Sequence, residues 1–243
     1  MEDEPRFLDA GDRGLVVEFG SAIDEAINAR VTALDASIAA ARIAGIDETI
    51  PTYRSLLVLF DPLVISRAAL RSALQTVLVT GVDADAAVRR RWRVPVLYGG
   101  ASGEDLDAVA ALHQLSTETV IALHSGAEYR VYMIGFSPGF SYLGGLPEAL
   151  HTSRRTTPRQ KTPPRSVSIG GRQAAVSPPL ELPSGWHLLG QTPVRSYDPR
   201  RTEQPFLFRT GDLIRFVPVT PGEYDRLCRA AEQGELVAEA TDA

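Results

Sequence analysis

GFSPGFSYLGGLP, residues 135–147, decides between two folds for this chain. Its first five residues, Gly135-Phe136-Ser137-Pro138-Gly139, satisfy G-x-S-x-G, the turn on which α/β hydrolases mount a nucleophilic serine. That turn needs a strand before it, a helix after it, and a backbone N–H on the residue following the serine, which forms part of the oxyanion hole. Residue 138 is proline and has no N–H to give. The continuation, with Gly144, Gly145 and Pro147, does not favour a helix. Ser137 is therefore not expected to be a nucleophile, and the segment reads as a loop between short strands. Its glycines allow tight turning and close approach. Phe136, Phe140 and Tyr142 alternate with them, which suits either a plug for a barrel end or the wall of a shallow ligand pocket.

Working outward, the chain from about residue 125 onward carries short strand candidates (EYRVYMIG, SVSIG, AAVS, WHLLG, DLIRFVP) punctuated by glycine and proline, the pattern of an all-β barrel or sandwich. Two short helices (103–113 and 117–124) are expected before it, and a last one from Pro221 to about Gln233. The first ninety residues differ. GLVVEFG (14–20) reads as a strand, and Ser21 with Asp24 has capping-box spacing for a helix whose inner face is Ile23, Ile27, Leu34, Ile38 and Ala41, ended near Gly45. Strands follow at 47–51 and 55–60, then a helix at 66–79 with Leu70, Leu74, Val77 and Leu78 inward. A strand near 91–97 either completes this set or begins the next domain. The order predicts α+β architecture: a ferredoxin-like α/β sandwich over 1–90 and a β-barrel domain over 91–243, joined through DADAAVRR (83–90).

Composition narrows the function. With 44% hydrophobic and 23% charged residues in a chain of 243, there is ample core. No apolar run approaches the roughly 20 residues of a membrane helix. The acidic start MEDEPRFLDAGDR does not resemble a secretory signal, and a lone cysteine, Cys228, suits a reducing compartment, so a cytoplasmic location is expected. A net charge of −5 offers no general attraction to nucleic acid. His113, His124, His151 and His187 lack the H-E-x-x-H spacing, so no metal is expected. Neither glycine-rich nucleotide fingerprint is present. The run TSRRTTPRQKTPPR (152–165) contains Arg154, Arg155, Arg159, Lys161 and Arg165 and no acid, and it suits an anionic substrate or the acidic face of a partner. His124, ending VIALH, is either a capping histidine or a general base.

Seven segments in order, GDRGLVVEFG, YRSLLVLFDP, VPVLYGG, VIALHSGAEYRVYMIGFSPGFSYLGGLP, TPRQKTPPRSVSIGGRQ, SGWHLLGQTPVRSYDP and TGDLIRFVPV, resemble the family of prokaryotic 5-oxoprolinase B subunits. That family is also labelled allophanate hydrolase subunit 1 and includes an inhibitor of a sporulation kinase. The resemblance implies a C-terminal cyclophilin-like barrel, and a polypeptide that acts with the A and C subunits in ATP-dependent opening of the 5-oxoproline lactam to glutamate. It implies alternatives as well: inhibition of a histidine kinase, or hydrolysis of a urea-derived amide. On this reading His124 and Lys161 are catalytic candidates. Phe136, Phe140, Tyr142, Arg159 and Gln173 are substrate-binding candidates, and ATP belongs to the assembled complex. The sequence departs from the family's pattern at Ala174 to Ser177 and at Arg165, which loosens the link to one substrate.

Overall fold

The structure is a computed structural model that describes residues 4–80 and 90–242. The chain divides into two compact units, Met1–Val88 and Arg89–Ala243. Residues 83–89 of the expected junction lie outside the described residues.

The N-terminal unit is one antiparallel four-stranded sheet, β1 (Arg6–Ala10), β2 (Gly14–Glu18), β3 (Ile46–Pro51) and β4 (Ser55–Phe60), with α1 (Glu25–Ala41) and α2 (Arg67–Thr80). Its order is β1-β2-β4-β3. Numbered from β2, this is the ferredoxin-like order, but the edge strand expected at the end of the set comes from the N-terminus. β1 takes that position, pairing antiparallel with β2 from Arg6↔Glu18 to Ala10↔Gly14. The expected helix begins one residue after Asp24, whose carboxylate accepts from the N–H groups of Ala26 and Ile27 at 2.8 and 3.1 Å. The cap is thus Asp24 and not Ser21, and the helix stops at Arg42 in the left-handed region (φ 47°), ahead of Gly45. The strict alternation of SLLVLF buries Leu56, Val58 and Phe60 against Leu34, Ile38, Leu70 and Leu74. Ile23, expected inward, is exposed.

The second unit is a closed barrel. Its strands are β5 (Arg90–Tyr98), β6 (Tyr129–Ile134), β7 (Ser141–Gly144), β9 (Ser166–Gly170), β10 (Gln173–Val176), β12 (His187–Gln191) and β13 (Leu213–Pro218). They run β12-β9-β10-β7-β6-β13-β5, and β5 pairs back with β12 through Tyr98↔Gly190 and Leu97↔Gln191. Closure removes the open edges of the sheet. The 91–97 segment therefore belongs to the barrel. β14 (Glu239–Asp242) extends the start of β5, and β8 (Arg159–Thr162) pairs with β11 (Leu182–Ser184) as a separate ribbon. Alternation again sets the inside: Trp92, Val94 and Val96 from β5 meet Ile214 and Phe216 from β13, and Ala174 and Val176 from β10 meet Val167, Ile169 and Leu143. Among the described residues, three α-helices accompany the barrel: α3 (Leu106–Leu112), α4 (Thr117–Gly126, capped by Ser116) and α5 (Pro221–Glu232, capped by Thr220). No helix among the described residues is long and apolar enough to cross a membrane.

Candidate functional site

Residues 135–140 connect β6 to β7, two antiparallel neighbours, so the serine sits in a strand–turn–strand loop and not on a nucleophile elbow. The loop is held by the Gly135 N–H donating to the Phe140 carbonyl at 3.1 Å and the Phe140 N–H donating to the Ser137 carbonyl at 3.0 Å. Gly139 has φ 80°, and a Cβ there would lie 2.6 Å from Cβ of Tyr197, so only glycine fits. Phe136 adopts φ 69°, a conformation costly for a bulky side chain, and its ring is 63% exposed.

The loop feeds an aromatic layer on the outer face of the barrel. Because Ala174 and Val176 point inward, Ala175 between them points outward, under Phe140, Tyr142 and Trp186. Ring centroids lie 5.6 Å apart for Phe136–Phe140, 4.7 Å for Phe140–Tyr142 and 5.9 Å for Tyr142–Trp186. Gly170 forms part of the floor: a Cβ there would come within 2.8 Å of the indole of Trp186. Phe140 and Trp186 are buried, while Tyr142 is half-buried and its phenol pKa is raised by that burial. Of the loop's three aromatics, Phe136 is thus exposed, Tyr142 partly exposed and Phe140 buried.

On the polar side of this layer, the Arg154 guanidinium lies over the Trp186 ring, 5.4 Å from its centroid. Beyond it is an open groove of about 690 Å³, walled by His113, His151, Thr152, Arg154, Arg155 and His187. Its wall is fixed from behind by Asp105. That buried carboxylate takes two parallel hydrogen bonds from Arg159, at 3.0 and 2.8 Å, one from Arg155 at 3.0 Å, and one from the Leu188 N–H at 2.8 Å. Burial pushes the Asp105 carboxyl up, but the bonds from Arg159 and Leu188 and the charges of Arg159 and Arg155 together outweigh it and hold the pKa below the usual carboxylate range. One acid on α3's approach thereby joins β8, β12 and the 151–157 segment.

The sequence candidates fall in three groups. Phe136, Phe140, Tyr142 and Gln173 share the outer face; Gln173 sits two residues before Ala175 on β10, is buried, and its amide nitrogen has no partner among the described residues. Arg159 and Lys161 are on β8. Arg159 is committed to Asp105 and, through Nε at 2.9 Å, to Glu104, with 17% of its side chain exposed, so its charge is already matched. Lys161 is exposed and pairs with Glu181 at 3.0 Å, a contact of little strength in water.

His124 stands apart from the other candidates. It lies fully buried beneath α4, stacked on Phe216 at 4.7 Å, with Nδ1 2.7 Å from the Tyr98 hydroxyl. Burial pushes its pKa down to about 3. The imidazole is therefore held neutral near pH 7. Trp186 and His187 were given no role by sequence reasoning, and Arg154 entered only as a member of the basic run 152–165. The available signal was the WH pair following a basic run with its own histidine, His151, but no spacing rule brings those segments together.

The chain matches the family described as carboxyltransferase domain, subdomain C and D, over residues 5–208. It is 37% identical over 224 residues to the 5-oxoprolinase B subunit of Bacillus subtilis, covering 88% of this chain and 92% of that one. It is 54% identical over 129 residues to the 5-oxoprolinase B subunit of Escherichia coli O157:H7, covering 53% of this chain and 58% of that one. Among solved structures, that of TTHA0988 superposes with a TM-score of 0.77 at 38% identity, covering 86% of this chain and 40% of that one, so this chain spans less than half of that protein's length. Kluyveromyces lactis urea carboxylase superposes with a TM-score of 0.81 at 20% identity, covering 98% of this chain and 24% of that one, a likeness of fold. On these matches the chain belongs to the carboxyltransferase subdomain C and D family, the family of the 5-oxoprolinase B subunits.

Proposed function

We propose that this chain is the B subunit of an ATP-dependent 5-oxoprolinase, working with an A and a C subunit to open the 5-oxoproline lactam to glutamate. The observation that carries the reading is the 37% identity to a 5-oxoprolinase B subunit across nearly the whole of both chains. The outer face of the barrel supports it, because an aromatic layer bordered by guanidinium suits a small, flat, anionic ring. Opening the lactam breaks the ring C–N bond, adds water oxygen to the carbonyl carbon and leaves a proton on nitrogen. An unactivated lactam resists this at neutral pH, and ATP supplies the activation, ending as ADP and phosphate. We assign the nucleotide to the assembled complex and to this chain the task of holding the substrate. Phe136, the exposed ring at the edge of the layer, is the contact offered to the C subunit.

Reconstitution tests this directly. Combined with A and C subunits, the chain is expected to give glutamate from 5-oxoproline only when all three and ATP are present. No glutamate from the complete mixture rejects the proposal.

A further inference from the structure

The turn that carries Phe136 and Phe140 lies against the loop between β12 and β13. A Cβ at Gly139 would come within 3.0 Å of the Tyr197 nitrogen and 3.1 Å of the Ser196 carbonyl carbon. That loop closes on itself: the Asp198 N–H donates to the Pro205 carbonyl and the Leu207 N–H to the Ser196 carbonyl, both at 2.9 Å, and the Tyr197 and Phe206 ring centroids are 5.4 Å apart. Leu207 and Phe208 anchor one arm of it in the barrel core. The other arm is held by Asp198, a buried carboxylate. Its Oδ1 accepts from Nε of Arg200 at 2.8 Å and its Oδ2 from Nη2 at 2.6 Å, a two-pronged contact that fixes geometry as well as charge. Arg200 has donors to spare. Nη1 donates to the Glu232 carbonyl at 2.9 Å and Nη2 to the Ala231 carbonyl at 3.3 Å, in the last turn of α5, where carbonyls lack helical donors and a cation is favoured. One guanidinium therefore ties the loop beside the turn to the C-terminal end of a helix.

We propose that Arg200, acting through Asp198 and the Ser196–Tyr197 backbone, is a positioning residue for the outer aromatic face: it fixes where the 135–140 turn sits, and so where Phe136 and Phe140 are presented. β6 and β7 hold the ends of that turn, and its two internal backbone bonds hold its shape. The contact at Gly139 sets the place of its tip. Phe136 at φ 69° needs such support, because a strained backbone persists only where its surroundings impose it. Half of the Arg200 side chain is exposed, and without it α5 keeps its Thr220 cap and the burial of Tyr224 and Ala231. Removing Arg200 therefore loosens the loop without unfolding the barrel. The use of the turn as part of a substrate face rests on the function proposed above; the link from α5 to the turn does not.

Amide hydrogen exchange of the full chain, followed by NMR, tests the link, and kinetics of the complex reconstituted with A and C subunits test its use. In Arg200→Ala the Phe140 amide, bonded to the Ser137 carbonyl, is expected to exchange about tenfold faster, while the amides of β9 and β10 stay within about twofold of wild type. Arg200→Lys, which keeps the charge and loses the fork, should fall between the two. In the complex, Arg200→Ala should raise KM for 5-oxoproline by about fivefold with kcat within about twofold, the signature of a displaced binding face. Unchanged Phe140 exchange overturns the proposal. So does equal acceleration of Phe140 and the β9 and β10 amides, which marks a general loss of stability, and so does faster Phe140 exchange with an unchanged KM. If the wild-type complex makes no glutamate, the function above fails and exchange still decides the link. If exchange is indifferent to Arg200→Ala while the wild-type complex turns over, the link fails and the function stands.

Discussion

The barrel carries two buried histidine nitrogens without partners among the described residues, one inside the barrel and one on its outer face. His124 packs among Phe216, Tyr129 and Tyr98, while His187 belongs to the wall of a groove lined with arginine and hydroxyl side chains. The first is a packing cost, offset by ring stacking and by the bond to Tyr98. The second belongs to a ring whose other nitrogen, Nε2, donates to the Ser153 carbonyl at 2.9 Å. A histidine's surroundings thus differ between the two regions, and its sequence neighbours do not reveal that. The same contrast divides the arginines: Arg159 is consumed by Asp105 and Glu104, whereas Arg154 keeps its edge free beside Trp186.

The strongest way to break the comparison is to remove the acid that holds the groove wall. Asp105→Ala leaves Arg155, Arg159 and the Leu188 N–H without their shared acceptor, and stability to urea should fall by about 3 kcal/mol or more. Because its folded pKa is depressed, the wild-type contribution is complete above about pH 4, the ordinary carboxylate value, and is lost as pH falls below that. A midpoint unchanged by the substitution contradicts this account of the wall.

His124 should behave as a core residue. Replacement by phenylalanine strands the Tyr98 hydroxyl and should cost about 1–2 kcal/mol. Its folded pKa of about 3 lies below the ordinary 6.5, so the unfolded chain takes up a proton that the folded chain refuses. Stability contributed this way is full above pH 6.5 and declines toward pH 3 by on the order of 1 kcal/mol per pH unit. His124→Phe should remove that slope in urea titrations run at several pH values. The smallest effect is expected at Ser137. Its replacement by alanine should change the complex's kcat by less than about threefold, and an acylating probe should leave Ser137 unlabelled. A large loss, or labelling, restores the elbow reading.

Much of the fold was legible because alternation reports burial directly. Leu56, Val58 and Phe60, and Trp92, Val94 and Val96, announce their strands. The edge strand Arg6–Ala10 did not, since only partial burial marks an RFLDA strand and it carries no apolar alternation. The consequence was an open choice for residues 91–97, which barrel closure resolves. At the loop, Pro138 argued against the elbow, and the strand–turn–strand geometry of residues 135–140 agrees with that. What remained hidden depends on pairing across long separations. Nothing near Arg159 indicates Asp105, 54 residues earlier, and nothing near His187 indicates Ser153, 34 residues earlier. Such matches arise from strand register in the closed barrel.

The most direct test of the division between inner and outer histidine regions is kcat/KM for 5-oxoproline in the reconstituted complex, measured for Arg154→Ala and His124→Phe side by side. The account predicts a loss of about tenfold or more for Arg154→Ala and a value within about threefold of wild type for His124→Phe. Near-normal kcat/KM in the arginine variant with a large loss in the histidine variant would contradict it, returning the chemistry to the barrel interior.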